Sequence, residues 1–357
     1  MSKYQSLADV LRQEIAAGQY PLESALPTEA ELSRRFSVSR QTVRQAVNLL
    51  ENDGMVYRRQ GSGTYVTNRP RRRVGERTVG VITTYITDYI FPSIVRGIES
   101  VLSASDCVMT LSATYNRPER ERALLERVLQ STVDGLIIEG TQTALPTPNL
   151  DLYQRLREHN IPFVALHGCD PRLGDAVSVT MEDRQGGRMA VEALLRSGHR
   201  SLGGVFKRDD IQGPHRYEGF EQALRERNVS PAEADVCWFS TENKAAFFRK
   251  PAGQVFLRRV GSELNGIVCY NDEIALALLD ALGAQGLSVP DDVSLVSFDN
   301  SAYSTVCHPR LTTLAHAKEA FGRRAAELLL RMMSGQREQS VCLPWTLIER
   351  ESVKREK

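Results

Sequence analysis

The chain has 357 residues, of which 41% are hydrophobic and 25% are charged. This composition is typical of a folded globular protein, and the length exceeds what one ordinary hydrophobic core supports, so we expect two or three domains. No apolar run approaches the roughly 20 residues that span a membrane. The polar start MSKYQSLADVLRQ lacks the features of a secretory signal peptide. These observations exclude an integral membrane protein and a secreted precursor from our expectations.

Charge is distributed unevenly along the chain. Residues 1–73 hold 12 Lys/Arg and 7 Asp/Glu, a net charge of +5, and the remainder carries −4. This asymmetry predicts a small basic module that meets a polyanion, attached to a mildly acidic body. The six cysteines are scattered and form no CxxC pair, which favours reduced thiols in a cytoplasmic protein over disulfides or a zinc site.

Residues 1–67 have the element order of an α+β winged helix-turn-helix domain. Apolar residues at helical spacing predict a first helix that stops at Gly18. Thr28 and Glu31 predict a capping box at the start of a second helix, and Ser39 is the expected cap of a third helix after a tight turn. Two strands, MVYRR and TYVT, follow and are joined by QGSG. Three helices, a tight turn and a β-hairpin together predict this domain.

The third helix, SVSRQTVRQAV, has one apolar and one polar side. Arg40 and Arg44 lie one turn apart on the polar side, with Gln41 and Gln45 beside them. Arg pairs with guanine and Gln with adenine in the DNA major groove, and each good pair gives about 1–3 kcal/mol of base discrimination. A solvated helix face would explain any single arginine equally well. The surrounding helix, turn and wing favour DNA recognition.

Residues 68–78 are polar and basic and predict a linker. From residue 79 to 357, apolar runs that are typical of buried strands alternate with amphipathic segments that are typical of helices. The strand-like runs are 79–83, 107–112, 134–139, 161–166, 202–206, 236–240, 266–270 and 294–298. This alternation predicts parallel sheets covered by helices. One barrel or two open sheets would both fit; we favour two lobes, since open sheets leave a crevice between them.

In open parallel sheets, ligands bind beyond the carboxyl ends of the strands. The predicted strand ends carry polar and aromatic residues at Thr84–Phe91, Glu139, His167, Lys207, Asp209, Asn271–Asp272 and Asp299, and Arg216 and His316 follow nearby. Carboxylates and guanidinium groups hydrogen-bond hydroxyls, while aromatic rings cover the apolar face of a sugar. The set predicts a site for a neutral polyol. Each residue taken alone could instead cap a helix or lie on the surface.

The competing interpretation is that the body is an enzyme that acts on a sugar phosphate or a nucleotide. None of the motifs GxGxxG, GxxxxGK[ST], HExxH and GxSxG occurs. Paired carboxylates in the crevice would serve catalysis or sugar binding alike. An aminotransferase-like body would need a longer chain and a lysine-bearing cofactor pocket. We therefore predict a protein that is not an enzyme and needs neither cofactor nor metal.

The segment 4–67 resembles the DNA-binding domain of the GntR family of bacterial transcription regulators. Pro27-Thr28-Glu29, VSRQTVRQA, LENDG and QGSGTYV carry the resemblance. It implies a homodimer bound to a palindromic double-stranded operator. The implied DNA contacts are Tyr4, Thr28, Glu29, Ser39, Arg40, Thr42, Arg44, Gln60, Gly61 and Thr64.

The segment 79–353 resembles the LacI family and type I periplasmic sugar-binding proteins. RYEGFEQAL, GIVCYNDEIALALLDAL, GLSVPDDVSLVSFDNS and LTTL carry this second resemblance. Together the two resemblances imply a repressor controlled by a small sugar. TTYITDYIFPSIVRGIES at 83–100 and FKRDDIQG at 206–213 narrow the resemblance to arabinose-responsive regulators of this combined type. This narrower resemblance implies L-arabinose as the expected effector, with another pentose or a hexose as the alternative. The implied effector contacts are Tyr89, Phe91, Glu139, His167, Asp183, Lys207, Arg216, Asn271, Asp299 and His316.

Overall fold

The structure is a computed structural model that describes residues 3–59, 62–67, 77–87, 89–229 and 235–354. The amino-terminal domain contains helices α1 (Lys3–Ala16), α2 (Glu29–Phe36) and α3 (Arg40–Asn52) and the antiparallel hairpin β1 (Val56–Arg59) and β2 (Gly63–Val66). Leu11, Leu32, Val43 and Leu50 are fully buried in its core, because the apolar residues of each helix recur at helical spacing. The predicted winged helix-turn-helix domain is confirmed.

The body contains two six-stranded sheets, and most of their strand pairs are parallel. Lobe 1 has the order β13-β7-β6-β5-β3-β4 and lobe 2 has the order β14-β12-β11-β10-β8-β9. The lobe 1 strands are β3 (Arg77–Thr83), β4 (Cys107–Ala113), β5 (Gly135–Ile138), β6 (Phe163–Leu166), β7 (Val177–Met181) and β13 (Val341–Leu343). The lobe 2 strands are β8 (Leu202–Lys207), β9 (Val236–Phe239), β10 (Gly266–Cys269), β11 (Ser294–Asp299), β12 (Thr312–Ala315) and β14 (Thr346–Ile348). Two open sheets, rather than one barrel, are therefore confirmed.

Helices cover both sheets. They are α4 (Phe91–Ser103), α5 (Pro118–Gln130), α6 (Leu150–Glu158), α7 (Asp183–Arg196), α8 (Gln212–Glu226), α9 (Pro251–Leu257), α10 (Asp272–Gly283), α11 (Tyr303–Val306) and α12 (Lys318–Met333). Within the described ranges, no helix is both long and apolar enough to cross a membrane. The predicted linker lies mostly at residues 68–76, outside the described part of the chain, and β3 begins at Arg77, just before the predicted start of the body.

The chain passes between the lobes three times. After β7 of lobe 1, helix α7 contacts strands of lobe 2; after β12 of lobe 2, helix α12 contacts strands of lobe 1; and β13 leads to β14. Helices α4 and α12 meet through glycines: a Cβ added at Gly97 would collide with the carbonyl of Glu319, and one at Gly322 with that of Ile94. The connections hold the carboxyl ends of both sheets around one cleft.

Some elements were not predicted. Strands β7, β12, β13 and β14 and helix α6 are absent from the sequence-based assignment, and β13 and β14 have only 3 residues each. The segment 243–262, for which no element was predicted, forms a 3-10 turn at Lys244–Arg249 followed by α9. Strand β9 ends at Phe239, so this turn begins close to a strand end.

Candidate functional site

A cavity of about 300 Å³ lies in the cleft between the lobes, at the carboxyl ends of the strands. Nine of the ten predicted effector contacts line it, from both lobes and from the crossover after β12: Tyr89, Phe91, Glu139, His167, Lys207, Arg216, Asn271, Asp299 and His316. Asp183 is the tenth, and it does not line the cavity. A larger groove of about 710 Å³ lies at the opposite edge of lobe 1, where its strands begin, and holds none of these residues.

A chain of hydrogen bonds runs from lobe 1 to the crossover. His167 Nδ1 lies 2.8 Å from Glu139 Oε1, and His167 Nε2 lies 3.2 Å from His316 Nε2. Burial alone would raise the pKa of Glu139, but hydrogen bonds from His167 and Thr84 outweigh it and lower that pKa. Burial lowers the pKa of His316 well below its usual value. Glu139 is therefore an ionised acceptor at one end of this chain of hydrogen bonds, and His316 at the other end is neutral.

Arg216 is the most enclosed charge of the site, with a side chain 4% exposed. Its Nε donates to Asp183 Oδ1 at 2.8 Å, and Nη2 lies 3.8 Å from Asp299 Oδ1. The guanidinium also lies over the rings of Tyr270, Phe298 and Trp345. Burial alone would lower the pKa of Arg216, but the two carboxylates raise it above its usual value. Asp183 thus does not line the cavity but pairs with Arg216, which does.

Three residues that line the cavity have left-handed backbone conformations: Tyr89 has φ 62°, His167 has φ 61° and Asp299 has φ 93°. Such conformations are strained for most side chains, including that of Tyr89, and are better tolerated by Asp and His. Strain of this kind concentrates at binding sites. Asp299 Oδ1 and Gln212 Oε1 are buried and accept no hydrogen bond from the described residues. They are acceptors available to a ligand.

The sequence reasoning missed eight of the described cavity-lining residues. Three are aromatic, Phe239, Tyr270 and Tyr303, and five are polar: Asp210, Gln212, Thr241, Lys244 and Glu273. Lys244 follows β9 closely and donates to Glu273 at 3.0 and 3.1 Å. The sequence prediction named no polar residue after the strand at 236–240, so it missed Lys244. The strand-end rule, applied to β9, would have found it.

The second candidate surface is the polar side of α3. Ser39 caps this helix and accepts from the Thr42 amide at 3.2 Å, and its hydroxyl lies 2.9 Å from that of Thr42. Thr28 caps α2 in the predicted capping box with Glu31. Both helix starts therefore lie in ordered, solvent-accessible positions, where their amide groups can meet phosphates.

Arg44 is 65% exposed and forms an ion pair with Glu29, with Nη2 3.0 Å from Oε2. The hydrogen bond from Arg44 lowers the pKa of Glu29, so the carboxylate stays ionised and orients the guanidinium. Arg40 is exposed on the same side of α3. Thr64 lies half-buried in β2, and Tyr4 packs against the domain core. Gln60 and Gly61, both predicted DNA contacts, lie outside the described residues.

Comparisons with known proteins agree with this two-part architecture. Residues 3–66 match the family of bacterial regulatory proteins, gntR family, and residues 191–353 match the periplasmic binding protein-like domain. An arabinose metabolism transcriptional repressor of Geobacillus stearothermophilus is 40% identical over 93% of this chain and 92% of its own. The chain belongs to the GntR family of bacterial transcription regulators. A repressor of the same name from Halalkalibacterium halodurans is 36% identical over 98% of this chain and 96% of its own.

The body of this GntR-family protein also resembles solved structures. A LacI family transcriptional regulator from Enterococcus faecium, solved with bound ribose, is 26% identical and covers 79% of this chain and 100% of its own, with a TM-score of 0.64. The protein is thus a DNA-binding regulator with a sugar-binding type of body. The prediction that it is not an enzyme is confirmed.

Proposed function

We propose that this protein is a homodimeric repressor whose operator affinity is controlled by a neutral monosaccharide, L-arabinose, bound in the cavity between the lobes. The observation that carries the proposal is the pairing of charges in that cavity. Arg216, Lys207 and Lys244, the cations among the described lining residues, are paired with Asp183, Asp210 and Glu273 respectively.

A phosphate or carboxylate ligand would need a cation that is free to meet it. The buried acceptors Asp299 Oδ1 and Gln212 Oε1 instead favour a ligand rich in hydroxyl donors. Tyr89 and Phe91 add ring surface beside them, which suits the apolar face of a sugar. The charge pattern therefore favours a neutral polyol over a sugar phosphate.

The size of the cavity favours a small sugar. Pockets for drug-sized ligands measure about 300–1,000 Å³, and this cavity, at about 300 Å³, lies at the lower limit. The choice of L-arabinose follows the two relatives named as arabinose metabolism repressors, which are 40% and 36% identical over most of the chain. Another pentose, or a hexose, is the alternative.

The mechanism that we propose is a population shift. Sugar bound between the lobes stabilises a closed body, and two closed bodies hold the paired DNA-binding domains at a spacing that does not fit the operator. Such coupling is typically about 1–3 kcal/mol, and it is reciprocal, so operator DNA weakens sugar binding by the same factor. We place the protein in the cytoplasm, where its DNA partner lies and its six free thiols stay reduced.

The test uses an operator duplex selected from a random library by the full-length protein. Fluorescence anisotropy measures its affinity alone and with L-arabinose, D-xylose, D-ribose, D-glucose or D-galactose. We expect L-arabinose to weaken operator binding about 5–150-fold, the range of typical allosteric coupling. If another sugar alone produces the effect, the effector assignment is wrong. If no sugar changes the affinity, the proposed control by a sugar is refuted.

A further inference from the structure

Asn116 joins the two lobes at the edge of the cleft. It follows β4 of lobe 1, and its side chain is buried, at 2% exposure. Its Oδ1 accepts from the backbone amide of Gln142, also in lobe 1, at 2.8 Å. Its Nδ2 donates to Asp210 Oδ1 at 3.0 Å and to Thr241 Oγ1 at 2.7 Å, both in lobe 2. The amide is therefore fixed on one lobe and reaches the other.

Asp210 connects this contact with the cavity. One of its carboxylate oxygens accepts from Asn116 and the other from the ammonium group of Lys207. Asp210 and Lys207 both line the cavity, whereas Asn116 does not. Hydrogen bonds to an ionised acceptor are stronger and more directional than those between neutral groups. Asn116 therefore orients the carboxylate that in turn orients the cavity lysine.

The position of Asn116 in the fold favours a role in closure. Strands β4 and β9 are the outer strands of their sheets, and Asn116 and Thr241 follow them. The three crossovers involve β7, β12, β13 and β14, at the opposite side of the sheets. A rotation of the lobes about those crossovers moves the β4 and β9 ends farthest. A contact between these ends is thus the one most sensitive to closure.

We propose that Asn116 is a positioning residue: it presents Lys207 to the effector only when the lobes are closed, and so makes effector affinity depend on closure. Asn116 acts through Asp210 and touches no effector itself. The inference rests on the proposed function, since it assumes a ligand in the cavity. The contact across the cleft can also be tested without any ligand.

Two substitutions test the contact. Asn116→Ala removes both donors to lobe 2, and we expect the Kd for L-arabinose to rise about tenfold, the effect of losing one hydrogen bond to a charged acceptor. Operator affinity without sugar should not weaken, because closure opposes operator binding in the proposed mechanism. Asn116→Asp keeps the size of the side chain and tolerates the left-handed backbone at this position, where φ is 57°. It places a carboxylate against Asp210.

The Asp variant adds a pH signature that a purely structural role would not give. Two carboxylates in contact raise the pKa of one of them, so closure is hindered more as pH rises and is relieved as pH falls. Asp210 also faces Lys207 and Tyr270 of lobe 2 and Tyr85 of lobe 1, and Asp209 of lobe 2 and Tyr85 act on Lys207 as well. The ratio of variant to wild-type Kd should therefore be several-fold larger at pH 8 than at pH 5.5, as measured by calorimetric titration with L-arabinose.

Asn149 provides a matched control. It is equally buried in lobe 1, and its Nδ2 donates to the carbonyl of Pro118 at 3.0 Å, within the same lobe. Asn149→Ala should lower the melting temperature but leave the Kd for L-arabinose within twofold. If Asn116→Ala also leaves that Kd unchanged, or if both variants raise it equally, the positioning role is refuted.

Amide hydrogen exchange without sugar separates this inference from the proposed function. The Ile211 amide donates to Thr143 Oγ1 and the Ala144 amide to the Asp209 carbonyl, and both bonds cross the cleft. In Asn116→Ala these two amides should exchange several-fold faster than in wild type, and in Asn149→Ala they should not. If wild type binds no sugar but the exchange changes as expected, the proposed function fails and the contact stands. Unchanged exchange refutes the contact.

Discussion

Replacing Arg216 with Met tests the ionic centre of the cavity. The methionine keeps apolar contact with the rings of Tyr270, Phe298 and Trp345, which surround the guanidinium at 4.8, 4.3 and 5.0 Å. It removes the charge that faces Asp183 at 2.8 Å and Asp299 at 3.8 Å. The loss of stability therefore measures the effect of leaving two carboxylates without a cation, and not the effect of lost packing.

Removing one partner of a buried ion pair costs about 3–5 kcal/mol, because the other charge stays buried without compensation. For a domain of this size, about 1 kcal/mol lowers the melting temperature by about 2–4 °C. Arg216→Met should therefore lower the melting temperature of the body by about 10 °C at pH 7. Scanning calorimetry should resolve the body from the amino-terminal domain, whose melting temperature stays the same.

The loss should depend on pH with a defined sign. Burial raises the pKa of Asp183, and Arg216 opposes this effect. Without Arg216 the pKa of Asp183 in the folded state rises further above its unfolded value. A group with a raised folded-state pKa contributes stability that is present at low pH and lost as pH rises through that pKa. The variant should therefore be closest to wild type near pH 5 and farthest from it near pH 8.

The double variant Asp183→Asn/Arg216→Met provides the control. It also removes the buried carboxylate of Asp183, which Arg216→Met leaves without a cation. We expect the double variant to recover more than half of the lost melting temperature at pH 7. The assignment of Arg216 as the buried counter-ion is refuted by either of two results. One is that Arg216→Met has the same melting temperature as wild type at pH 7; the other is that the difference in melting temperature grows as pH falls.

Three further predictions concern the DNA-reading surface and the cavity. Arg44→Ala should reduce discrimination between the selected operator and single-base variants by about 1–3 kcal/mol in competition binding, while sugar affinity stays unchanged. Lys207→Ala should leave operator affinity without sugar intact and abolish release by L-arabinose in the anisotropy assay. Thr28→Ala should destabilise the amino-terminal domain by about 1 kcal/mol in urea unfolding, because the capping box is lost; an unchanged transition midpoint would contradict this.

The secondary structure that could be predicted is the part with a strong local pattern. In α3, Val43, Ala46, Val47 and Leu50 recur at helical spacing and are all buried. Strand β13 has only 3 residues, with no fully buried side chain, and is held by its pairing with β7. Because that pairing joins segments far apart in the sequence, no local pattern could indicate it.

The same limit applies to the cavity. The strand-end rule placed nine predicted residues around it, because parallel strands bring their carboxyl ends to one edge. Asp183 was expected only from the family resemblance, and it opens α7 and pairs with Arg216 instead of lining the cavity. That difference depends on packing depth. Lys244 and Asn116 also follow strands, β9 and β4 respectively, and lie at the cleft. They were missed because the rule was not applied to these two strands.

The positions of β4 and β9 indicate how sugar binding in the cleft could affect DNA binding. The amino-terminal domain joins the body at β3, which pairs with β4 in lobe 1. Closure rotates lobe 2 against lobe 1 about the three crossovers, and Asn116 holds the far ends of β4 and β9 together. The DNA-binding domain is thus joined along the chain to lobe 1. In the proposed homodimer, we expect closure to change operator affinity by changing how the two copies of lobe 1 are set relative to each other.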